Sequence, residues 1–195
     1  MFNHNRGLWG YTGEARDGRP LTIQSTGMGG PSTAIVIAEL ADLGARTLVR
    51  VGTCGALQPS LALGDLLVVT EALAADGTSH ALSGNDRVAG DPGIRDRLLA
   101  AAGPGGAAGL VVSTDLFYDS PDGAEQAWCA EGAQAVEMET ATLFALAARR
   151  GLRAGSVLLV SDRVLPRRDR LSIENLRDGE RRLGELAAAA LSAEA

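Results

Sequence analysis

The chain has no lysine: all 18 of its basic residues are arginine. That absence excludes Schiff-base chemistry, which needs a free amine, and a Walker-type loop, whose lysine holds phosphate. Basic residues are outnumbered by 24 acidic ones, for a formal net charge of -6, so the positive stripe of a nucleic-acid binder is missing as well. Cys54 and Cys129 are the chain's two cysteines, too few for a disulfide framework and in keeping with a reducing compartment. No apolar run approaches the roughly 20 residues that span a bilayer, and no stretch reads as a signal peptide. The expectation is a soluble cytoplasmic protein with neither a membrane nor a nucleic-acid partner.

What is present fits one domain. The 195 residues are 46% hydrophobic, enough for a sizeable core. Apolar runs alternate with helical patterns, as in an α/β sheet with crossover helices. Strands are expected at Leu8–Thr12, Pro20–Ser25, Thr47–Gly52, Asp65–Thr70, Ala108–Ser113 and Ser156–Val160. Helices are expected at Pro31–Leu43, Asp91–Ala102 and Glu139–Arg150, with a last amphipathic one marked by Ile173, Leu176, Leu183, Leu186 and Ala190. The apolar residues of Pro31–Leu43 cover most of its circumference, which predicts burial on more than one side. Gly77–Asp91 and Phe117–Asp122 read as irregular loops.

Five segments carry candidate chemistry. Ser25-Thr26-Gly27-Met28-Gly29-Gly30-Pro31-Ser32 joins a strand to a helix through three glycines, a junction that lets backbone N–H groups approach a ligand. Arg50 stands in the apolar strand before a second glycine junction, Gly52-Thr53-Cys54-Gly55. A guanidinium there needs an anion, either a carboxylate in a structural ion pair or a bound phosphate, to which the Thr53 hydroxyl adds a donor. Glu137 and Glu139 flank Met138 where a helix begins. They either complement the helix dipole or accept from a vicinal diol. Asp162 follows Ser161 at the end of a core strand, placed either to act as an acid on a ligand or to cap a helix or pair with Arg163. Phe117 and Tyr118 adjoin in a chain with 4% aromatics, and would stack on a planar base or close the core under a loop.

Together and in this order, these segments resemble the purine nucleoside phosphorylase and uridine phosphorylase family. Gly27, Gly29, Pro31, Ser32, Ile35, Glu39 and Leu40 stand where that family's signature has them. Arg50–Ala56, Ser113–Tyr118, Val136–Glu139 and Val160–Asp162 follow in its order. The resemblance implies a single α/β domain of three layers, with a mixed central sheet flanked by helices. It also implies phosphate-dependent cleavage of a nucleoside to free base and pentose 1-phosphate, with inorganic phosphate as co-substrate and no metal or organic cofactor. Arg50 and Thr53 would bind phosphate, with Arg6 lent by a neighbouring subunit. Met138, Glu139 and Met28 would hold the ribose. Cys54, Gly55, Phe117, Glu137 and Ser161 would line the base pocket. Asp162 would protonate a purine at N7, assisted by an arginine for which Arg170 and Arg177 are candidates. The working unit would be a homo-oligomer, dimer-based and hexameric.

Purine is the favoured substrate, because Phe117-Tyr118-Asp119-Ser120-Pro121-Asp122-Gly123 resembles the purine enzymes. The Met28 junction and Asp76-Gly77-Thr78-Ser79 are closer to the uridine enzymes. Family members begin with a further strand and a Gly-Asp-Pro turn, whereas this sequence starts past that point at Met1-Phe2-Asn3-His4. Either the start is misassigned or the fold is N-terminally shortened, and a shortened fold is expected to have a weakened phosphate site. The rivals are a uridine phosphorylase, a hydrolytic nucleosidase and an inactive nucleoside-binding homologue.

Overall fold

The computed structural model describes residue 1 and residues 3–192. A turn at Asn5–Gly7 leads into strands β1 (Gly10–Glu14) and β2 (Pro20–Gln24), which form a separate antiparallel hairpin. Helix α1 (Gly30–Asp42), β3 (Thr47–Ala56), β4 (Leu66–Ala75), α2 (Gly77–Ser83), β5 (Arg87–Ala89), α3 (Pro92–Ala102) and β6 (Gly106–Thr114) follow. The chain continues through α4 (Ala124–Ala130), β7 (Ala135–Glu137), α5 (Thr140–Arg150), β8 (Arg153–Arg163), β9 (Asp169–Arg170) and α6 (Ile173–Ser192).

Seven strands form one mixed sheet in the order β5-β4-β6-β7-β3-β8-β9. The antiparallel pairing of β4 with β8 closes β4, β6, β7, β3 and β8 into a ring. Within it β4, β6 and β7 run parallel, and the parallel pair β3 and β8 runs the opposite way. The alternation of strand side chains sorts the core into layers. Leu67, Val69, Leu158 and Val160 meet α1 and α5 residues such as Ile37 and Phe144. Their neighbours Leu66, Val68, Val157 and Leu159 face Ile94 and Leu98 of α3 and Leu183 and Leu186 of α6. A third cluster, with Leu57, Leu73 and Val112, lies under Trp128 and Cys129 of α4. The mixed sheet flanked by helices is as expected, and strands β4 and β8, apolar on both faces, are covered on both.

Several boundaries differ from the sequence expectation. The first strand begins at Gly10 instead of Leu8, because the Leu8 N–H is spent on the Asn5 carbonyl in the preceding turn. Gly77–Asp91 is not irregular: it holds α2 and β5. Asp76 starts α2 by accepting from the Ser79 N–H at 2.7 Å, and Gly84 ends it in the left-handed region. The buried Asp76 carboxylate also accepts from Thr142 Oγ1 at 3.1 Å, tying α2 to α5. Phe117–Asp122 does remain irregular. Helix α1 buries Thr33, Val36 and Ile37 but leaves Ile35 47% exposed, so within the chain it is covered on one side. β3 runs on to Ala56, which places Arg50 in mid-strand and not near its end.

Candidate active site

One cleft of about 460 Å³ is lined by the C-terminal halves of β3 and β8 and by the chain leaving β6 and β7, which run the opposite way. Its walls include Met28 from the glycine junction and Arg50, Thr53, Cys54 and Gly55 from β3. Phe117 follows β6, while Glu137, Met138 and Glu139 span the β7–α5 junction. Ser161 and Asp162 close the list of expected residues found there. Arg6 is the exception. It lies exposed on the Asn5–Gly7 turn, outside the cleft of its own chain.

The antiparallel end of β3 against β7 explains how residues distant in sequence meet. Gly55 pairs with Val136, so Glu137 and Glu139 run back along β3 toward Arg50. Arg50 Nη2 lies 3.1 Å from Glu137 Oε2 and is hydrogen-bonded to Glu139 Oε2. The guanidinium lies across Gly52, where an added Cβ would sit 2.1 Å from Nη1. Burial opposes the charge on Arg50, but the Glu137 and Glu139 carboxylates outweigh it and push its pKa above the ordinary arginine value. Nη1 is buried and has no hydrogen-bond partner among the described residues. Of the two anions considered for Arg50, carboxylates occupy one side of the guanidinium, and a donor stays unused on the other.

The two glutamates are held differently. Glu137 is saturated by its own protein: it accepts from the Glu139 N–H at 2.9 Å, the Thr140 N–H at 2.9 Å and the Ser113 hydroxyl. A carboxylate at the positive end of α5 is stabilised there. Glu139 Oε1 accepts from the Gly29 N–H at 2.6 Å, and Oε2 accepts from Arg50. Each carboxylate oxygen has two acceptor sites, so one on each oxygen stays open toward a ligand. Gly29 adopts φ 83 and ψ 166, a backbone region open essentially to glycine alone. The glycine junction therefore works by clamping Glu139 with a backbone N–H.

At the other end of the cleft a β-bulge aims Asp162. Cys54 pairs with Val160 but Gly55 pairs with Asp162, which leaves Ser161 as the extra residue. Ser161 Oγ donates to Asp162 Oδ2 at 2.7 Å, and Arg170 Nε lies 2.7 Å from Asp162 Oδ1. Of the two candidate arginines, Arg170 of β9 is the one beside Asp162. Cys54 is buried, and burial, reinforced by the Glu137 charge, pushes its thiol pKa far up. It is a neutral wall and no nucleophile. Phe117 and Tyr118 stack edge to face, with centroids 4.8 Å apart, and are 54% and 67% exposed. They do not close the core.

A family profile described as the phosphorylase superfamily matches residues 1–193. The chain belongs to that superfamily. It is 43% identical over 148 residues to the guanosine phosphorylase of Halorubrum lacusprofundi, a match covering 74% of this chain and 61% of that protein. It is 40% identical over 159 residues to the uridine phosphorylase of Escherichia coli, covering 72% and 63%. A purine nucleoside phosphorylase (DeoD-type) of Geobacillus kaustophilus is 38% identical over 177 residues, covering 84% and 71%. The matched region is thus less than two thirds of the length of the first two relatives.

This member of the phosphorylase superfamily also lines its cleft with residues that the motifs did not mark. Glu125 and Trp128 come from α4, and Arg163, Val164 and Arg168 from the stretch after Asp162. An available signal was the density of arginine in Arg163-Val164-Leu165-Pro166-Arg167-Arg168-Asp169-Arg170, directly behind a candidate acid. Glu125 and Trp128 carried no signal without the packing of α4. Among the described residues no group of three or more His, Cys, Asp or Glu is placed to hold a metal ion. No helix among them is long and apolar enough to cross a membrane.

Proposed function

We propose that this chain is a nucleoside phosphorylase, which breaks an N-glycosidic bond with inorganic phosphate to release the base and a pentose 1-phosphate. The observation that carries the reading is the unused donor of Arg50, a permanent cation in the cleft beside a carboxylate with open acceptor sites. An unmade hydrogen bond from a buried charged donor is costly, and a phosphate oxygen beside Nη1 would relieve it. Thr53, exposed in the same wall, adds a hydroxyl donor. Glu139 accepts from the ribose 2′ and 3′ hydroxyls, with Met138 and Met28 against the sugar. Phe117, Cys54, Gly55 and Ser161 bound the base, and Glu137 holds Arg50 and the start of α5.

Bond cleavage leaves positive charge at C1′ and negative charge on the base. Phosphate held by Arg50 stabilises the first, and a proton from Asp162 to a purine N7 relieves the second. Catalysis is then electrostatic and positional, with phosphate as co-substrate and no cofactor required. The Asp162–Arg170 pair favours a purine, because an acid at that end has N7 to protonate. Arg6 is assigned to the phosphate of a neighbouring subunit. Trp9, just before β1, and Tyr11 and Ile23 of the β1–β2 hairpin are each more than half exposed, which supports a homo-oligomer, a hexamer built from dimers in the full reading.

The test is release of base from inosine, guanosine, adenosine and uridine with and without phosphate. Turnover should require phosphate, and Asp162→Asn should lower purine turnover by about 10²–10⁴-fold, the usual contribution of a general acid. Cleavage at the same rate without phosphate would identify a hydrolase instead.

A further inference from the structure

Asp76-Gly77-Thr78-Ser79 stands out in the sequence, yet none of its four residues lines the cleft. Asp76 is 2% exposed. A carboxylate so deep is tolerated when its oxygens are supplied with donors, and here both are. Oδ1 accepts from the Ser79 N–H at 2.7 Å and from Thr142 Oγ1 at 3.1 Å, and Oδ2 accepts from the Ser79 hydroxyl. Those donors belong to two helix starts. Ser79 lies in the first turn of α2, and Thr142 stands three residues beyond Glu139, the N-cap of α5. A third helix start rests on the same group. Gly30, the first residue of α1, is buried so closely against it that an added Cβ would stand 2.8 Å from each of Asp76 Oδ1, Thr142 Oγ1 and Thr78 Cβ.

This packing governs a distance inside the cleft. Gly29, next to Gly30, donates its N–H to Glu139 Oε1 at 2.6 Å. Gly30 thus abuts Thr142 while its neighbour clamps Glu139, one turn earlier in the same chain segment. The stop formed by Asp76 and Thr142 sets how near α1 comes to α5, and with it where the Gly29 N–H stands. Without that donor, Glu139 keeps only the Arg50 bond on Oε2, and its carboxylate can turn about it. We propose that Asp76 is a positioning residue, which seats the start of α1 so that Gly29 aims Glu139 at the ribose 2′ and 3′ hydroxyls. The assignment rests on the role of Glu139 proposed above. It goes beyond that role by placing control of sugar recognition on a buried carboxylate outside the cleft.

The experiment compares Gly30→Ala, Asp76→Ala and Asp76→Asn with the wild type. Gly30 has no left-handed backbone, so alanine there acts through its Cβ alone. Asp76 and Thr142 are held by their own hydrogen bonds, so the start of α1 must retreat by about 0.6 Å to reach ordinary contact near 3.4 Å. The readout is kcat/KM for inosine and uridine against their 2′,3′-dideoxy counterparts, which offer Glu139 nothing to accept. Gly30→Ala and Asp76→Ala should lower ribonucleoside cleavage by at least about tenfold, and dideoxynucleoside cleavage by less than about threefold. Asparagine keeps the shape, an oxygen for Ser79 N–H and Thr142, and an amide that donates to Ser79 Oγ, so Asp76→Asn should restore the wild-type ratio of the two sugars. A purely structural role would lower the melting temperature and leave that ratio unchanged. Crystal structures give a readout independent of turnover: in Gly30→Ala the 2.6 Å separation of Gly29 N from Glu139 Oε1 should lengthen beyond roughly 3.2 Å, the outer range of an N–H···O bond. Equal losses on both sugars, Asp76→Asn as damaging as Asp76→Ala, or an unchanged separation in Gly30→Ala overturns the assignment and leaves phosphorolysis standing. Turnover independent of phosphate defeats phosphorolysis instead, and a sugar ratio shifted by Gly30→Ala would still uphold Asp76, because hydroxyl recognition is the same whether phosphate or water attacks.

Discussion

Replacing Gly52 by alanine should unseat Arg50 without substituting any charged residue. A strand glycine is ordinarily worse than alanine by roughly 0.5–1 kcal/mol, and Gly52 has no left-handed backbone to defend. On propensity alone the change stabilises. The Arg50 guanidinium reverses the sign. An alanine Cβ would lie 2.1 Å from Nη1, 2.9 Å from Cζ and 3.1 Å from Nη2. Ordinary contact begins near 3.4 Å, so Nη1 must retreat by about 1.3 Å. That movement strains or breaks the contacts of Nη2 with Glu139 and Glu137.

A hydrogen bond to a charged group contributes about 1.5–3 kcal/mol, and breaking a buried pair outright costs about 3–5 kcal/mol. Set against the propensity gain, a net loss of about 1–3 kcal/mol is expected in urea unfolding. On the proposed phosphorolysis reading, a misplacement of about 1 Å at the group that holds phosphate also costs on the order of 10²-fold in rate, so the phosphate kcat/KM should fall by a similar factor. A double-mutant cycle isolates the cause. In an Arg50→Met background the collision is reduced, and Gly52→Ala should then cost at least about 1 kcal/mol less than in the wild type. Gly52→Ala as stable as the wild type, or a cost unchanged in Arg50→Met, would refute the account of Gly52 as the bed of the guanidinium.

Two further outcomes concern the scaffold and the cysteines. Asp91 accepts from the Ile94 N–H at 2.9 Å to begin α3, and lies 3.1 Å from Arg153; Asp91→Ala should cost about 1–2 kcal/mol, mostly the lost cap. The hydrogen bond from Arg153 holds the Asp91 pKa below its usual value, so that part of the difference from wild type is present above the unfolded pKa near 4 and lost as pH falls through the lower folded one, which thermal melts from pH 7 to pH 2 would trace. Burial raises the thiol pKa of both Cys54 and Cys129, so iodoacetamide at pH 8 should label the native protein far more slowly than the urea-unfolded chain. Rapid native labelling of Cys54 would contradict its place in the wall.

The layers of the fold were legible because strand periodicity writes itself into local sequence. Val157–Val160 alternates between two helix layers, and α6 shows its buried face at Leu183, Leu186 and Ala190. The short elements were not legible. In α2 and β5 a buried Asp76 cap and pairing to β4 decide the structure, and neither leaves a periodic trace. The same division runs through the site. Composition and motif order marked the chain as an α/β protein and Arg50, Glu139 and Asp162 as its candidate site residues, since glycine junctions and charges in apolar strands are local facts. Tertiary structure alone decided how those residues are used. Antiparallel pairing of β3 with β7 brings both glutamates to Arg50, and a bulge at Ser161 turns Asp162 toward Arg170. α4 delivers Glu125 to a wall that no motif marks. A charge in a sequence has no partner until the chain folds, and in this cleft only folding decided which charges meet.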